Sequence, residues 1–328
     1  MKNIQADIKS GNFKQVYLLY GEEAYLKQQY KQNLVKALNP DGDTMNFHHY
    51  EGKGIDVKQL IDLCETMPFF AERRVVLLED TGFFKNKCEE LADYMKELPD
   101  YLYLVFAETE VDKRNRMYKA VKACGSIAEF IRQDEKTLMR WAAGILGKAG
   151  KKITQRDMEL LLTKTGTDMG NLRMEMEKLI SYTEGRDVVT AEDIEEICTT
   201  QTTNRIFDMV RAVTEKNQKR ALELYYDLLT LKEPPMRILF LLAKQYRQLL
   251  LAKQFAAAGL AQTEIASKLG VPGFVVRNIT TCARAYTISE LEQAVKDFVD
   301  EEESVKTGRL EDKLSVELLI IKYSSKVK

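Results

Sequence analysis

The stretch VYLLYGEEAYLKQ, residues 16–28, decides how the first third of the chain is read. Val16 to Tyr20 are apolar or aromatic throughout, which suits a short buried strand. Gly21 breaks the run. A helical pattern follows, with Leu26, Tyr30, Leu34 and Leu38 at spacing four. Strand, glycine, helix is the setting of a phosphate-binding loop, G-x-x-x-x-G-K-[ST]. Gly21 and Lys27 stand in register with that pattern; Leu26 and Gln28 do not. Leu26 puts a branched side chain where the backbone must pass close to a phosphate, and Gln28 lacks the hydroxyl that ligates Mg²⁺. Glu22 and Glu23 add negative charge at a helix N-terminus, the slot a phosphate would take. Metal-binding carboxylates are also poorly supplied: Glu79-Asp80 follows one strand in reversed order, and Glu108 ends another alone. The segment therefore reads as a strand-to-helix turn that keeps the outline of a nucleotide site without its chemistry. Gly21 serves the turn, Lys27 is expected on the helix surface, and no ATP binding, cofactor or metal is expected at Gly21, Leu26, Lys27 or Gln28.

Outward from this unit the alternation continues. Asn39-Pro40-Asp41-Gly42 stops the first helix. FHHYEG (47–52) reads as a strand, 55–67 as a helix and RRVVLLED (73–80) as a buried strand. Then come a helix over 85–98, a buried strand YLYLVFAE (101–108), a helix over 113–124 and a last strand SIAEFI (126–131). Continuous apolar strands alternating with helices predict a parallel sheet covered on both faces.

Beyond Asp134 everything reads helical. Asp134 is placed to cap one helix and Thr154 to open another. Thr190 reads as an N-cap with Asp193 three residues on, and Ser289 with Glu292 as a capping box. Six or so helices are expected from Asn204 to the C-terminus. Ile238–Ala243 and Leu318–Ile321 are apolar on every side of their helices. They require burial all round, within the domain or against partner subunits.

Composition narrows the chemistry. The 328 residues are 45% hydrophobic and 30% charged with a net charge of −1, as expected for a soluble protein of two or three domains with no overall nucleic-acid footprint. The two histidines, His48 and His49, are adjacent in a strand pattern and point to opposite faces, a poor basis for a hydrolytic triad or a zinc site. Cys64, Cys88, Cys124, Cys198 and Cys282 are scattered and spell no zinc or redox motif; they read as reduced thiols of a cytoplasm. No signal-peptide pattern opens the sequence, and no apolar run approaches the ~20 residues of a membrane span.

Three other stretches compete for a function. In MPFF (67–70), Pro68 cannot extend the preceding helix, so Phe69 and Phe70 fall in a short connector. They are either core residues or an exposed plug for a partner's pocket. QTEIASKLGVPGFVVRNIT (262–280) resembles a helix-turn-helix. Its second helix opens on Gly273, Phe274, Val275 and Val276, with only Arg277 and Asn278 polar nearby, which favours a packed helical hairpin over DNA reading. Lys113-Arg114-Asn115-Arg116 is a weak anion-contact candidate among short charge runs that otherwise suit solvated faces.

Taken in order, these segments resemble the delta subunit of the bacterial DNA polymerase III clamp loader over essentially the whole chain. VYLLYGEEAYLKQQ is similar to the family's opening, and TMPFFAERRVVLLED to its clamp-binding element with the following strand. DMGNLRMEMEKLISYTEGRDVVTAEDIEEI resembles its lid domain. IFDMVRAV, KEPPMRILFLLAKQYRQLLLAK, LGVPGFVVRNI and VKTGRLEDKLSVELLIIKY resemble pieces of its collar. The resemblance implies an α/β plus all-α protein: an AAA+-like parallel-sheet domain over 1–134, a small helical lid over 135–203 and a helical collar for oligomerisation over 204–328. It implies no ATPase activity. It implies a mechanical role in DNA replication: binding the beta sliding clamp and favouring its open form, gated by the tau/gamma motor subunits and alongside delta-prime. Primer-template DNA lies within such a complex, no membrane is involved, and the location is the bacterial cytoplasm. By position, Phe69 and Phe70 match the family's two plug residues, with Met67 and Pro68 flanking them. The rival from another class is an active AAA+ ATPase, a motor subunit or helicase loader, which requires Lys27 to hold a phosphate.

Overall fold

In the computed structural model, which describes residues 2–199 and 202–325, VYLLY is strand β1 (Val16–Tyr20), buried along its whole length. A helix that the sequence reading did not anticipate, α1 (Lys2–Ser10), precedes it. The chain then alternates through α2 (Ala24–Leu38), β2 (Phe47–Glu51), α3 (Val57–Glu65), β3 (Arg74–Glu79), α4 (Glu89–Tyr94), β4 (Leu102–Glu108), α5 (Arg116–Cys124) and β5 (Ser126–Glu129). The strands make one sheet in the order β2-β3-β4-β1-β5, and every neighbouring pair is parallel.

Side-chain alternation supplies two cores. Val16, Leu18, Val76, Leu78, Leu104 and Phe106 point to one face and pack with Leu60 and Cys64 of α3, Leu91 of α4 and Met117 and Val121 of α5. Tyr17, Leu19, Val75, Leu77 and Val105 point to the other and meet Ile4 of α1 and Leu34 and Leu38 of α2. Both faces are covered, so the central strands are apolar without interruption. The edge strand β2 is only partly buried and carries the polar residues His48, His49 and Glu51.

The helix expected over 85–98 shrinks to α4. Residues 82–86 form a turn, with Lys85 and Asn86 both donating to the Gly82 carbonyl at 3.0 and 2.9 Å. The carbonyls of Phe84 and Asn86 are taken by the Asp112 backbone N–H and the Asn115 amide. These carbonyls bond partners distant in the chain, and regular helix begins only at Glu89. The other expected elements of this unit agree to within three residues at their ends, where boundaries are soft.

The chain divides into two compact units, Met1–Gln133 and Asp134–Lys328. The second begins with α6 (Glu135–Lys148), α7 (Gln155–Thr165), α8 (Met169–Tyr182) and α9 (Ala191–Ile197). Two short strands that were not expected, β6 (Lys152–Ile153) and β7 (Val188–Val189), pair in parallel between them. Asp134, Thr154 and Thr190 cap their helices as anticipated, and Thr190 with Asp193 closes a capping box. This part has its own core, centred on Leu146, Leu161, Leu172, Met176 and Ile194. The boundary expected between residues 203 and 204 falls inside the next helix, Thr202–Thr214, and residues 200 and 201 just before it lie outside the described residues.

Seven described helices follow: α10 (Thr202–Thr214), α11 (Gln218–Thr230), α12 (Pro235–Ala257), α13 (Gln262–Leu269), α14 (Gly273–Ala283), α15 (Ile288–Lys306) and α16 (Asp312–Ser324). They share one core around α12, where Tyr246 is bonded to the Tyr286 hydroxyl at 3.1 Å and packs against Phe298 and Tyr323. The segment 262–280 is a hairpin whose second helix buries Val276 and Ile279 in that core; the Phe274 side chain lies outside the described ones.

One expectation is corrected here. Helix α15 is boxed by Thr287 with Glu290, and Ser289 lies inside the helix. Starting at Thr287 places Tyr286 and Leu291 at the two ends of a hydrophobic staple, and both are buried in the core. A start at Ser289 would put Gln293 in the second of those places. Of the two coverings open to the all-round apolar segments, the one within the domain is met on one side only. Ile238, Leu239, Leu242, Leu319 and Ile320 are buried, whereas Phe240, Leu318 and Ile321 are 61%, 43% and 39% exposed.

Candidate functional site

In open parallel sheets, ligands bind outside the carboxyl ends of the strands. Here that edge is filled by the chain itself. Gly21 has a φ of +122°, and a Cβ on it would lie 2.3 Å from the Phe130 carbonyl oxygen. That oxygen accepts from the Glu23 N–H at 3.0 Å, and the Phe130 N–H donates to the Tyr20 carbonyl at 2.7 Å. The turn after β1 is thus closed against the chain that leaves β5. Leu26 packs into the core beside Leu34, and Gln28 is exposed.

Lys27 is not the surface lysine the sequence suggested. It is half-buried, and its ammonium donates to the Glu108 carbonyl at 2.9 Å, at the end of β4. Burial holds its amine below the ordinary lysine value, against the pull of Asp80, Glu108 and Glu79. One turn on, Lys31 pairs with Glu79 at 2.6 Å, and His49 meets the other oxygen of that carboxylate at 2.9 Å. Burial pushes the Glu108 carboxyl up, opposed by the bonds it accepts from the Thr81 hydroxyl, the Thr81 N–H and the Gly82 N–H. The lysines and carboxylates a nucleotide and its metal would require are here joined to the fold.

The segment Met67–Phe70 is organised in the opposite sense. Met67, Phe69 and Phe70 are 75%, 58% and 95% exposed, large apolar groups offered to solvent together. The two rings meet edge to face with centroids 4.5 Å apart. Phe70 adopts a φ of +49°, which costs a side-chain-bearing residue of order 1–3 kcal/mol and persists only where the surroundings enforce it.

Two buried polar residues supply the enforcement. Asn46, 3% exposed, receives the Phe69 N–H on Oδ1 at 2.7 Å and donates from Nδ2 to the Phe69 carbonyl at 2.9 Å. Its Nδ2 also reaches the Asp43 carboxylate at 2.6 Å, so both acceptors face the same nitrogen and fix the amide's orientation. Arg74, 4% exposed at the start of β3, donates to the carbonyls of Thr66 at 2.9 Å and Met67 at 3.0 Å. Thr66 is the C-cap of α3, whose carbonyl has no partner within the helix, and Met67 follows it. A third Arg74 N–H meets His48 Nε2 at 2.6 Å. Guanidinium has no acceptor, so Nε2 accepts and the imidazole is neutral there. Burial, then the guanidinium charge, holds His48 below its usual value.

Sequence reading named the four residues of the connector and missed their supports. A trace of Arg74 was available, as a charged residue opening a buried strand. Asn46 gave none, because its partner lies 23 residues away. Elsewhere, the basic run at 113–116 is committed to ion pairs with Glu129, Asp112 and Asp93. A cavity of about 450 Å³ in the second unit is walled by α7, α10, α12 and α14, and four of its five charged lining residues pair with one another. Lys164 meets Glu195 at 2.9 Å and Arg211 meets Asp208 at 3.4 Å. Among the described residues no helix is long and apolar enough to cross a membrane.

A parallel five-stranded sheet covered on both faces and followed by a mainly helical unit is an AAA+-like architecture, here with its nucleotide edge filled from within. Residues 17–130 match the family model described as DNA polymerase III, delta subunit, and residues 203–323 match the DNA polymerase III delta subunit, C-terminal domain. The DNA polymerase III subunit delta of Bacillus subtilis is 26% identical over 332 residues, covering 97% of this chain and 95% of that protein. The probable DNA polymerase III subunit delta of Aquifex aeolicus is 22% identical over 270 residues, covering 78% of this chain and 75% of its own. Among solved structures, the Bacillus subtilis DNA clamp loader delta protein shares the fold at a TM-score of 0.67, with 24% identity over 99% of each chain. The chain belongs to the DNA polymerase III delta subunit family.

Proposed function

We propose that this chain is the delta subunit of a DNA polymerase III clamp loader and that it binds the beta sliding clamp through Phe69 and Phe70, flanked by Met67 and Pro68. The observation that carries this reading is the pair of phenylalanines held outward on a fixed backbone. Rigid, clustered aromatic groups that enter a partner's pocket are the usual bearers of binding energy. Clamp opening then follows as linkage: a subunit that binds the open ring better than the closed one shifts the ring toward open. No catalytic step is assigned to the chain itself, since Lys27 and Lys31 are engaged by Glu108 and Glu79. Hydrolysis belongs to motor subunits of the tau/gamma type, with delta-prime and primer-template DNA as further partners. The helices from residue 204 onward are read as the oligomerising collar, the region 135–203 as the lid, and 1–134 as the clamp-binding domain. Exposed Phe240, Leu318 and Ile321 support association through the collar.

The test is binding of the full chain to the purified clamp. Phe69→Ala with Phe70→Ala is expected to cost roughly 2–4 kcal/mol, about thirtyfold to a thousandfold in Kd. Wild-type affinity in the double variant would remove Phe69 and Phe70 from the interface.

A further inference from the structure

We infer that Asn46 and Arg74 are positioning residues for the plug: together they pre-form the backbone that presents Phe69 and Phe70. This rests on the reading of the 67–70 segment as the clamp-binding element. The geometry is specific. Asn46 engages both the N–H and the carbonyl of Phe69, as a neighbouring strand would. Arg74 holds the two carbonyls just before the plug, those of Thr66 and Met67. Pro68 stands between the two anchors with φ fixed by its ring. The backbone is thereby tied on both sides of Pro68, and the residue after the second anchor, Phe70, is the one driven to positive φ.

Both supports sit on the sheet. Asn46 immediately precedes β2, and its backbone carbonyl accepts from the Val75 N–H at 2.9 Å. Arg74 is the first residue of β3, with its N–H on the Tyr101 carbonyl at 2.8 Å. The plug thus takes its position from the rigid core although it lies in a connector. An exposed loop of large apolar groups would otherwise collapse onto the surface or sample many conformers, and ordering it on binding would weaken the complex. Pre-formation removes that loss before the clamp arrives.

Amide hydrogen exchange of the free full-length chain, together with clamp affinity, tests the assignment. In Asn46→Ala the Phe69 amide is expected to exchange about tenfold faster, the size of one lost net hydrogen bond. Amides of β3 from Val76 to Leu78 are expected to keep their wild-type rates, and Kd for the purified beta clamp is expected to rise by roughly tenfold or more. Arg74→Lys keeps the charge but loses the fork to two carbonyls. It is expected to loosen the same segment and weaken binding less, which serves if Asn46→Ala folds poorly. Equal acceleration across β3 and the plug in both variants makes these residues supports of the fold alone and overturns the inference. Unchanged Phe69 exchange overturns it, and so does fast exchange with wild-type affinity. Failure of the wild-type chain to bind the clamp would strike the partner assignment instead, while the exchange arm still reads the brace.

Discussion

Gly21 offers the sharpest distinction between a structural turn and a nucleotide loop. Consider Gly21→Ala. The added Cβ would sit 2.3 Å from the Phe130 oxygen, where ordinary contact begins near 3.4 Å. The obstacle is backbone and cannot rotate away. Relief requires the chain leaving β5 to move, which strains or breaks the Glu23 N–H bond to Phe130 and the Phe130 N–H bond to Tyr20. Each is worth about 0.5–1.5 kcal/mol, and an L side chain at a φ of +122° adds of order 1–3 kcal/mol. The expected loss is therefore about 2–6 kcal/mol, confined to the first unit. Urea denaturation reads it. The only tryptophan, Trp141, lies on α6 of the second unit, so its fluorescence is an internal control. Far-UV circular dichroism also reports the first unit. With a slope of about 1–3 kcal/mol per molar urea, the first unit's midpoint should drop by roughly 1 M or more while the Trp141 transition stays in place. A first-unit midpoint unchanged by Gly21→Ala, coupled with loss of nucleotide binding, would refute the structural account and restore the phosphate loop.

Two further expectations follow from particular contacts. His48 binds fewer protons folded than unfolded because its folded pKa is depressed, so its contribution is whole above about 6.5 and is lost as pH falls through the folded value. Thermal melts from pH 7.5 to 5.5 should therefore fall more steeply for wild type than for His48→Gln, whose amide oxygen accepts from Arg74 without titrating; equal slopes would remove His48 from the brace. Thr287→Ala should cost about 1 kcal/mol and Ser289→Ala at most about 0.5 kcal/mol in denaturant unfolding, and the reverse order would return the cap of α15 to Ser289.

What the sequence by itself determined is what neighbouring residues settle among themselves. Unbroken apolar runs in VYLLY, RVVLLE and LYLVFAE specified strands buried on two faces, because side chains alternate with the pleat whatever the strand order. Asp134, Thr154 and Thr190 announced their helices because each cap bonds an N–H only three residues on. Leu26 and Gln28 argued against a phosphate loop without any coordinates. The tertiary structure decided whatever depends on a distant partner. Asn115 shortened α4 from across the turn, and Tyr286 with Leu291 chose between two overlapping capping boxes by burying one pair. Glu108 drew Lys27 inward from the helix surface where spacing had put it. The outward plug is the clearest case. By its residues alone MPFF leaned toward core over contact, and only the family resemblance made it a plug. Asn46, 23 residues earlier in the chain, and Arg74, beyond the turn, hold the backbone so that the rings face solvent. Such bonds join elements brought together only when the sheet closes, so no local pattern records them.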